Sequence, residues 1–207
     1  MEDVLEVYQR PADSKRPLVC LDEFAKQLLS ETRAPRRPRP GQLAQNDSEY
    51  VREGSATGFM LAFPHLGRRE VFFSETCRRT SVDFAHCLEK LAALFPEAQT
   101  IVLVMDNLNT HKEASLYKAF PPEKARALCE RFEFHYTPTH GSWLNMAEIE
   151  IGLLARGCLD RRIESAHLLR REVAAYLRDK NAKPAPIKWQ FTHKDARTKL
   201  HSIYPSL

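Results

Sequence analysis

The sequence has few of the features that would assign it to a membrane, secreted or zinc-binding class. Its longest apolar runs contain about five residues, far fewer than the roughly 20 that a membrane-spanning helix needs. The opening MEDVLEVYQR contains acidic side chains and no apolar core, unlike a signal peptide. The five cysteines form no CxxC pair and no HExxH motif is present, which favours reduced thiols over a structural zinc site. We therefore expect a cytoplasmic protein with no membrane partner.

The composition fits one globular domain. A chain of 207 residues can bury one sizeable core, and 43% hydrophobic with 28% charged residues is ordinary for such a domain. The formal net charge of +4 permits a nucleic-acid partner. It does not demand one, because only clustering of the positive charge would make that case.

The apolar periodicity predicts alternating strands and helices. The predicted strands are residues 17–24, 57–64, 69–75, 100–106 and 132–138. The predicted helices are residues 81–95, 111–131 with an interruption at Pro121 and Pro122, 142–159 and 165–182, followed by a short helix in the tail from Asp195. A hairpin followed by alternating helix and strand indicates one mixed sheet flanked by helices.

Two segments are predicted to lie outside this pattern. Residues 1–16 are polar, with Pro11 inside and Pro17 directly after them, and are predicted to be a lead-in or linker before a domain at 17–207. Residues 31–55 are predicted to be a basic loop inserted after the first strand, because prolines and arginines alternate there.

Two aspartates directly follow apolar, strand-like residues. Asp22 lies in VCLDEF and Asp106 in VLVMDN. Taken alone, each is better explained as a helix cap or turn residue, whereas two at equivalent positions make a shared ligand site an equal alternative. If the two strands are neighbours, however, both carboxylates converge at the sheet edge where α/β proteins bind ligands, and Mg²⁺ favours such oxygen ligands.

A third acid would have to come from the helix that follows Gly141. Glu148 and Glu150 both lie there and point about 200° apart, so only one can face the two aspartates. The residues alone do not choose between them, since apolar side chains surround both.

Three ordered blocks, CLDEF, VLVMDNLNTH and HYTPTHGSWLNMAEIE, resemble the catalytic blocks of DDE transposases. The resemblance is to the bacterial insertion-sequence branch of the mariner superfamily. It implies a ribonuclease-H-like α/β domain with a five-stranded mixed sheet flanked by helices. It also implies Asp22, Asp106 and Glu148 as catalytic, metal-binding acids, in preference to Glu23 and Glu150. The same motifs imply supporting roles for Asn107, His111 and Asn145.

The resemblance further implies the chemistry and the partners. Two Mg²⁺ ions, which Mn²⁺ replaces, would serve cleavage of double-stranded DNA at transposon ends and transfer of the freed 3′-hydroxyl into target DNA. A homodimer assembled on DNA and a nucleoid-associated location in the cytoplasm are expected. Residues 17–205 carry the resemblance.

The chain departs from the family pattern in three respects. The interval between Asp106 and Glu148 is longer than usual, Met146 replaces a proline, and the N-terminal helix-turn-helix region is expected to be absent. Two alternatives to a transposase therefore stay open. One is a non-catalytic DNA-binding remnant or regulator, and the other is a different ribonuclease-H-like nuclease.

Candidate DNA-contacting residues lie in two places. The first set, in the basic segment, would contact phosphates or belong to a solvated loop; it consists of Arg33, Arg36, Arg37 and Arg39. His140 and Trp143 would stack on a base, although a tryptophan at a helix start more often anchors a core.

Overall fold

The computed structural model describes residues 1–33, 40–41, 48–75, 80–108, 112–139 and 141–199. Its five strands are β1 (Leu18–Glu31), β2 (Tyr50–Phe63), β3 (Arg68–Phe73), β4 (Ile101–Met105) and β5 (Phe132–Tyr136). They form one sheet in the order β3-β2-β1-β4-β5. The first three strands pair antiparallel, and β1, β4 and β5 pair parallel, so the predicted mixed five-stranded sheet is confirmed.

Helices cover both faces of this sheet. They are α1 (Glu2–Gln9), α2 (Ser81–Leu94), α3 (Ala114–Ala119), α4 (Pro122–Cys129), α5 (Met146–Leu154), α6 (Ala166–Asn181) and α7 (His193–Lys199). One core layer lies between the sheet and α1, α5, α6 and α7, and the other between the sheet and α2, α3 and α4. No helix within the described ranges is both long and apolar enough to cross a bilayer.

Strand β4 shows why the sheet is buried on both sides. All five residues of IVLVM are buried, and the side chains of successive residues enter opposite core layers. A central parallel strand has no solvent-facing side, which explains its continuous apolar run.

The predicted lead-in at residues 1–16 is wrong for its first half, because Glu2–Gln9 forms a helix that packs into the core. Val4, Leu5, Val7 and Tyr8 are buried there, at the spacing of one helix face. Arg10 ties the end of this helix to Glu133 on β5, at 2.7 Å between Nη1 and Oε1.

The predicted loop at residues 31–55 is too long, since β2 begins at Tyr50. Strand β1 also continues to Glu31, well past the predicted end at residue 24. Beyond the main sheet these two strands pair only with each other and form a two-stranded ribbon, residues 25–31 with 50–57. The side chains at 50–55 are exposed, so this part of β2 shows no inside–outside alternation in its sequence.

The helix predicted at 142–159 is divided into three pieces. A 3₁₀ turn at Ser142–Leu144 precedes α5, and a π-helical turn at Ala155–Leu159 follows it. Asn145 begins α5 because its side chain accepts a hydrogen bond from the Ala147 amide at 3.1 Å. Helix α5 therefore starts at Met146, two residues before Glu148.

Candidate active site

The register between β1 and β4 brings Asp22 and Asp106 to equivalent positions. Cys20 pairs with Val104 in the parallel ladder. Continuing that register by two residues places Asp22 beside Asp106, which directly follows the last residue of β4. Neighbouring strands lie about 4.8 Å apart, so the backbones carrying the two carboxylates are adjacent.

The position of Asp22 within β1 corrects one feature of the prediction. Asp22 does not end its strand, because β1 continues for nine more residues to Glu31. The site forms instead where β1 extends beyond the end of β4. Strand β4 ends at Met105, so the following part of β1 has no parallel neighbour on that edge. The polar residues at this point lie at the carboxyl end of β4, as expected for an α/β ligand site.

Asp22 lies on the α5 face of the sheet. Cys20, two residues earlier on β1, belongs to the core layer shared with α5. Side chains two residues apart on a strand share a face, so Asp22 projects on that side, and Asp106 directly follows the last residue of β4. By the same alternation Glu23, paired with Phe59 of the opposite layer, points away.

Asn145 fixes the start of α5 against β1. Its buried side-chain amide donates a hydrogen bond from Nδ2 to the Leu21 carbonyl oxygen at 2.9 Å, while Oδ1 caps the helix. The residue bonded to Asn145 is thus the immediate neighbour of Asp22. Glu148, half-buried in the first turn of α5, is carried to the same region of the molecule.

Tyr8 and Cys20 form an apolar, hydrogen-bonded support beneath this site. The Tyr8 hydroxyl donates to the Leu144 carbonyl oxygen at 2.7 Å and lies 3.5 Å from the Cys20 sulfur. Burial raises the pKa of the Cys20 thiol to about 12 and also raises the pKa of Tyr8. Both groups stay protonated at neutral pH, so Cys20 is neither a nucleophile nor a thiolate metal ligand.

Glu150 is occupied by a structural ion pair. Its Oε1 accepts from Arg69 Nη2 at 2.9 Å, and its Oε2 lies 2.8 Å from Arg69 Nε. The two side chains are only 5% and 9% exposed. A buried carboxylate held by both arms of a guanidinium is not available to a ligand. Of the two acids that the sequence left open, Glu150 is therefore committed to the core, and Glu148 lies half-buried in the first turn of the same helix.

Three further predicted residues, Asn107, Arg33 and Trp143, lie at the surface. Asn107 is exposed directly after Asp106, and Arg33 is exposed beyond the end of β1. Trp143 is 44% exposed and packs edge-on against Phe191 at 5.3 Å between ring centroids, so it is not a buried core anchor. The other predicted residues lie outside the described residues; they are His111, Arg36, Arg37, Arg39 and His140.

Sequence reasoning missed Tyr8 and Arg69, although each carries a signal. Tyr8 falls on the apolar side of an amphipathic segment, four residues after Val4. Arg69 alternates with Val71 and Phe73 on the inward face of β3, so its burial follows from strand periodicity. A buried arginine requires a carboxylate partner, but its identity, 81 residues away, comes only from the fold.

The donor set at this site suits a hard divalent cation. Asp22, Asp106 and Glu148 offer carboxylate oxygens, and Mg²⁺ is commonly held by one or two carboxylates together with oxygens of a bound phosphate. Among the residues with described positions, no three His, Cys, Asp or Glu side chains are close enough to form a metal cluster by themselves.

Comparison with known sequences points to one family. Residues 17–170 match the sequence profile described as DDE superfamily endonuclease. This range includes Asp22, Asp106 and Glu148. No curated protein matches the chain at a significant level.

Comparison with solved structures identifies the fold as that of mariner transposases. The Mos1 paired-end complex with left transposon end matches 96% of this chain with a TM-score of 0.59 and 16% identity. The Mos1 mariner paired-end complex with Mn matches 87% at a TM-score of 0.55 and 17% identity, and the corresponding complex with Mg matches 87% at 0.56 and 16%. These matches cover 52%, 55% and 59% of the Mos1 chains, so this chain spans little more than half of their length. At such low sequence identity, these structural matches establish the ribonuclease-H-like fold alone.

Proposed function

Because the chain belongs to the DDE superfamily endonucleases, we propose that it cleaves DNA at transposon ends and transfers the freed 3′-hydroxyl to target DNA. The observation that carries this proposal is the parallel β1–β4 pairing on the sheet whose one face α5 covers; extended two residues beyond Cys20 and Val104, this register would set Asp22 beside Asp106. Three carboxylates on separate elements fit phosphodiester chemistry better than they fit a structural role.

The three acids would hold the divalent cation or cations. The chemistry that such ions supply is Lewis-acid polarisation of the phosphodiester and activation of the attacking oxygen. Asp22 and Asp106 contribute fixed negative charge from rigid strands, so little reorganisation is needed when substrate binds. Asn145 holds the first turn of α5, and therefore Glu148, against β1.

The proposal extends to partners, by analogy with the Mos1 complexes. Those structures are paired-end complexes of a mariner transposase. We propose double-stranded DNA as the substrate, a homodimer as the assembly on that DNA, and the nucleoid as its location. We also propose that the chain is of the bacterial insertion-sequence branch, on its LNMAE block from Leu144 to Glu148.

Metal-dependent nicking tests the proposal directly. We expect the protein to convert supercoiled plasmid to the open-circle form in Mg²⁺ or Mn²⁺ and to stop when EDTA is added, since the acids alone cannot polarise the phosphodiester. Calorimetry should detect binding of either ion. Duplex DNA should be preferred over RNA–DNA hybrid and branched DNA. The opposite preference would identify another nuclease, and DNA binding without nicking in either ion would contradict the proposed activity.

The Asn145–Leu21 bond provides a second test, which separates positioning from stability. In Asn145→Ser the hydroxyl can still cap α5 but is too short to reach the Leu21 carbonyl. We expect nicking to fall about 100-fold, the cost of a displacement near 1 Å. The unfolding free energy should fall by about 1–3 kcal/mol because a buried carbonyl loses its donor.

Ser165→Ala is the matched control for this test. Ser165 caps α6 by accepting from the Leu168 amide at 3.2 Å, in the same way that Asn145 caps α5. Its loss should cost about 1 kcal/mol in unfolding free energy and leave the nicking rate unchanged. Equal nicking losses in both variants, measured under conditions where both are fully folded, would contradict a positioning role for Asn145.

A further inference from the structure

A groove between β3 and α6 carries three arginines without acidic partners. It has a volume of about 680 Å³, with Val71 and Phe73 on the β3 side. Arg68 lies at the start of β3, and Arg170 and Arg178 lie on α6. Within the described part of the chain, none of these three guanidinium groups is within 4.0 Å of a carboxylate.

Several arginines outside the groove, unlike these three, form ion pairs with carboxylates. Arg126 pairs with Glu130 at 3.0 Å, and Arg197 pairs with Glu2 at 2.8 Å. Arg161 and Arg171, the latter next to Arg170 on the same helix, both pair with Glu172. Carboxylates neutralise these four arginines outside the groove. The arginines of the groove instead form a local concentration of positive charge.

The lining of the groove leaves its net charge positive. Arg170 lies over the Phe73 ring, with its Cζ atom 5.8 Å from the ring centroid, which holds the guanidinium at the rim. One acid, Glu70, also lines the groove on the same side of β3 as Arg68, so the lining carries three arginines and one glutamate. Ala174 lies between Arg170 and Arg178 on the same helix stripe and leaves room for a ligand to approach.

We propose that this groove binds the sugar-phosphate backbone of the duplex whose scissile phosphate lies at Asp22, an inference that rests on DNA as the proposed substrate. Guanidinium groups bind phosphate through paired N–H donors, and an apolar floor accommodates the sugar. Arg170 and Arg178 are eight residues apart, about 12 Å along the helix, which is the axial rise of roughly three nucleotides.

The sheet register places the groove beside the catalytic face. Asp22 pairs with Met60, and Met60 pairs with Val71, so the three residues form one row across the sheet. Two strand spacings, about 10 Å, separate the backbone of Asp22 from that of Val71. Met60 between them is fully buried and α5 reaches across to β3, so a duplex that contacts both the acids and the groove would follow the outer surface of α5 and α6.

Salt dependence of DNA binding tests the proposal. The triple variant Arg68→Gln, Arg170→Gln, Arg178→Gln and the wild type would be titrated with a random-sequence duplex in EDTA, where no cleavage occurs. Between about 50 and 200 mM salt, we expect the triple variant to bind the duplex about 10- to 100-fold more weakly than the wild type. Its slope of log binding constant against log salt concentration should be less negative by nearly 3, or about 0.9 for each lost phosphate contact.

A charge-matched control separates this groove from a general effect of net charge. The triple variant Arg126→Gln, Arg171→Gln, Arg197→Gln removes three exposed arginines that are ion-paired and outside the groove. It should change the slope by less than about 1. Replacing Arg68, Arg170 and Arg178 by lysine should retain most of the wild-type slope, because lysine keeps the charge.

The possible results separate a failure of the groove proposal from a failure of the proposed function. A wild type that binds duplex DNA, with equal slopes in the glutamine and control variants, would overturn the groove and leave the proposed function standing. A wild type that fails to bind DNA would overturn both. If the glutamine variant instead changed only self-association in sedimentation, the groove would be a contact between copies and the DNA proposal would be overturned.

Discussion

Replacing Asp106 with asparagine is expected to reduce metal-dependent nicking by about 1000-fold while leaving DNA binding intact. Metal-assisted polarisation of a phosphodiester is worth several kcal/mol, and each 1.4 kcal/mol corresponds to about a tenfold change in rate. Asp106 directly follows the buried strand β4, so the amide occupies the same position without the charge that a cation requires. Calorimetry should show weaker Mg²⁺ and Mn²⁺ binding in the same variant.

Asp160→Asn is the control for Asp106→Asn. Asp160 is exposed at the end of the π-helical turn, and its replacement makes the same change in net charge. A general electrostatic effect on DNA binding would be equal in the two variants, whereas the loss of nicking should be confined to Asp106→Asn. Nicking at the wild-type rate by Asp106→Asn that still binds DNA would exclude Asp106 from the reaction.

The central part of this architecture follows from local sequence patterns. The apolar run at Ile101–Met105 can only be a strand buried on both sides, and an acid directly after it must lie at the sheet edge. The confirmed strand order then makes Asp22 and Asp106 neighbours. These features are predictable because strand burial and side-chain alternation act over a few residues.

The parts that were mispredicted depend on distant contacts. In the ribbon formed by 25–31 and 50–57, Leu28 and Ala56 still reach the core, but residues 50–55 are all exposed, so periodicity gives no strand signal there and pairing defines the strand. Helix α1 does have a helical apolar spacing, but the prolines that follow it favoured a linker. Its burial depends on contacts such as the Tyr8–Leu144 bond, 136 residues apart.

The choice between Glu148 and Glu150 shows where local reasoning stops. Helix geometry establishes that the two side chains point in different directions. It does not establish which direction faces the aspartates. The structure supports Glu148 as the candidate, because Arg69 on β3 engages Glu150 and the Asn145–Leu21 bond holds the first turn of α5 against β1.

We expect Glu150→Gln to lower the unfolding free energy by about 3–5 kcal/mol, the usual cost of removing one partner from a buried ion pair. Glutamine keeps the shape of the side chain but leaves the Arg69 guanidinium buried without a counter-ion. Urea denaturation monitored by tryptophan fluorescence would measure the change. The double variant Arg69→Met, Glu150→Leu should recover most of the loss, because two apolar groups in contact need no counter-ion.

Glu148→Gln is the matched change two residues away, and the pair of variants tests the separation of roles on α5. Glu148 is half-buried in the first helical turn, where loss of its charge should cost at most about 1 kcal/mol through the helix dipole. Nicking should fall as steeply as in Asp106→Asn. Glu150→Gln, assayed at a temperature where it is folded, should retain activity, because its carboxylate is committed to Arg69. The reverse pattern, with stability lost in Glu148→Gln and nicking lost in Glu150→Gln, would exchange the two assignments.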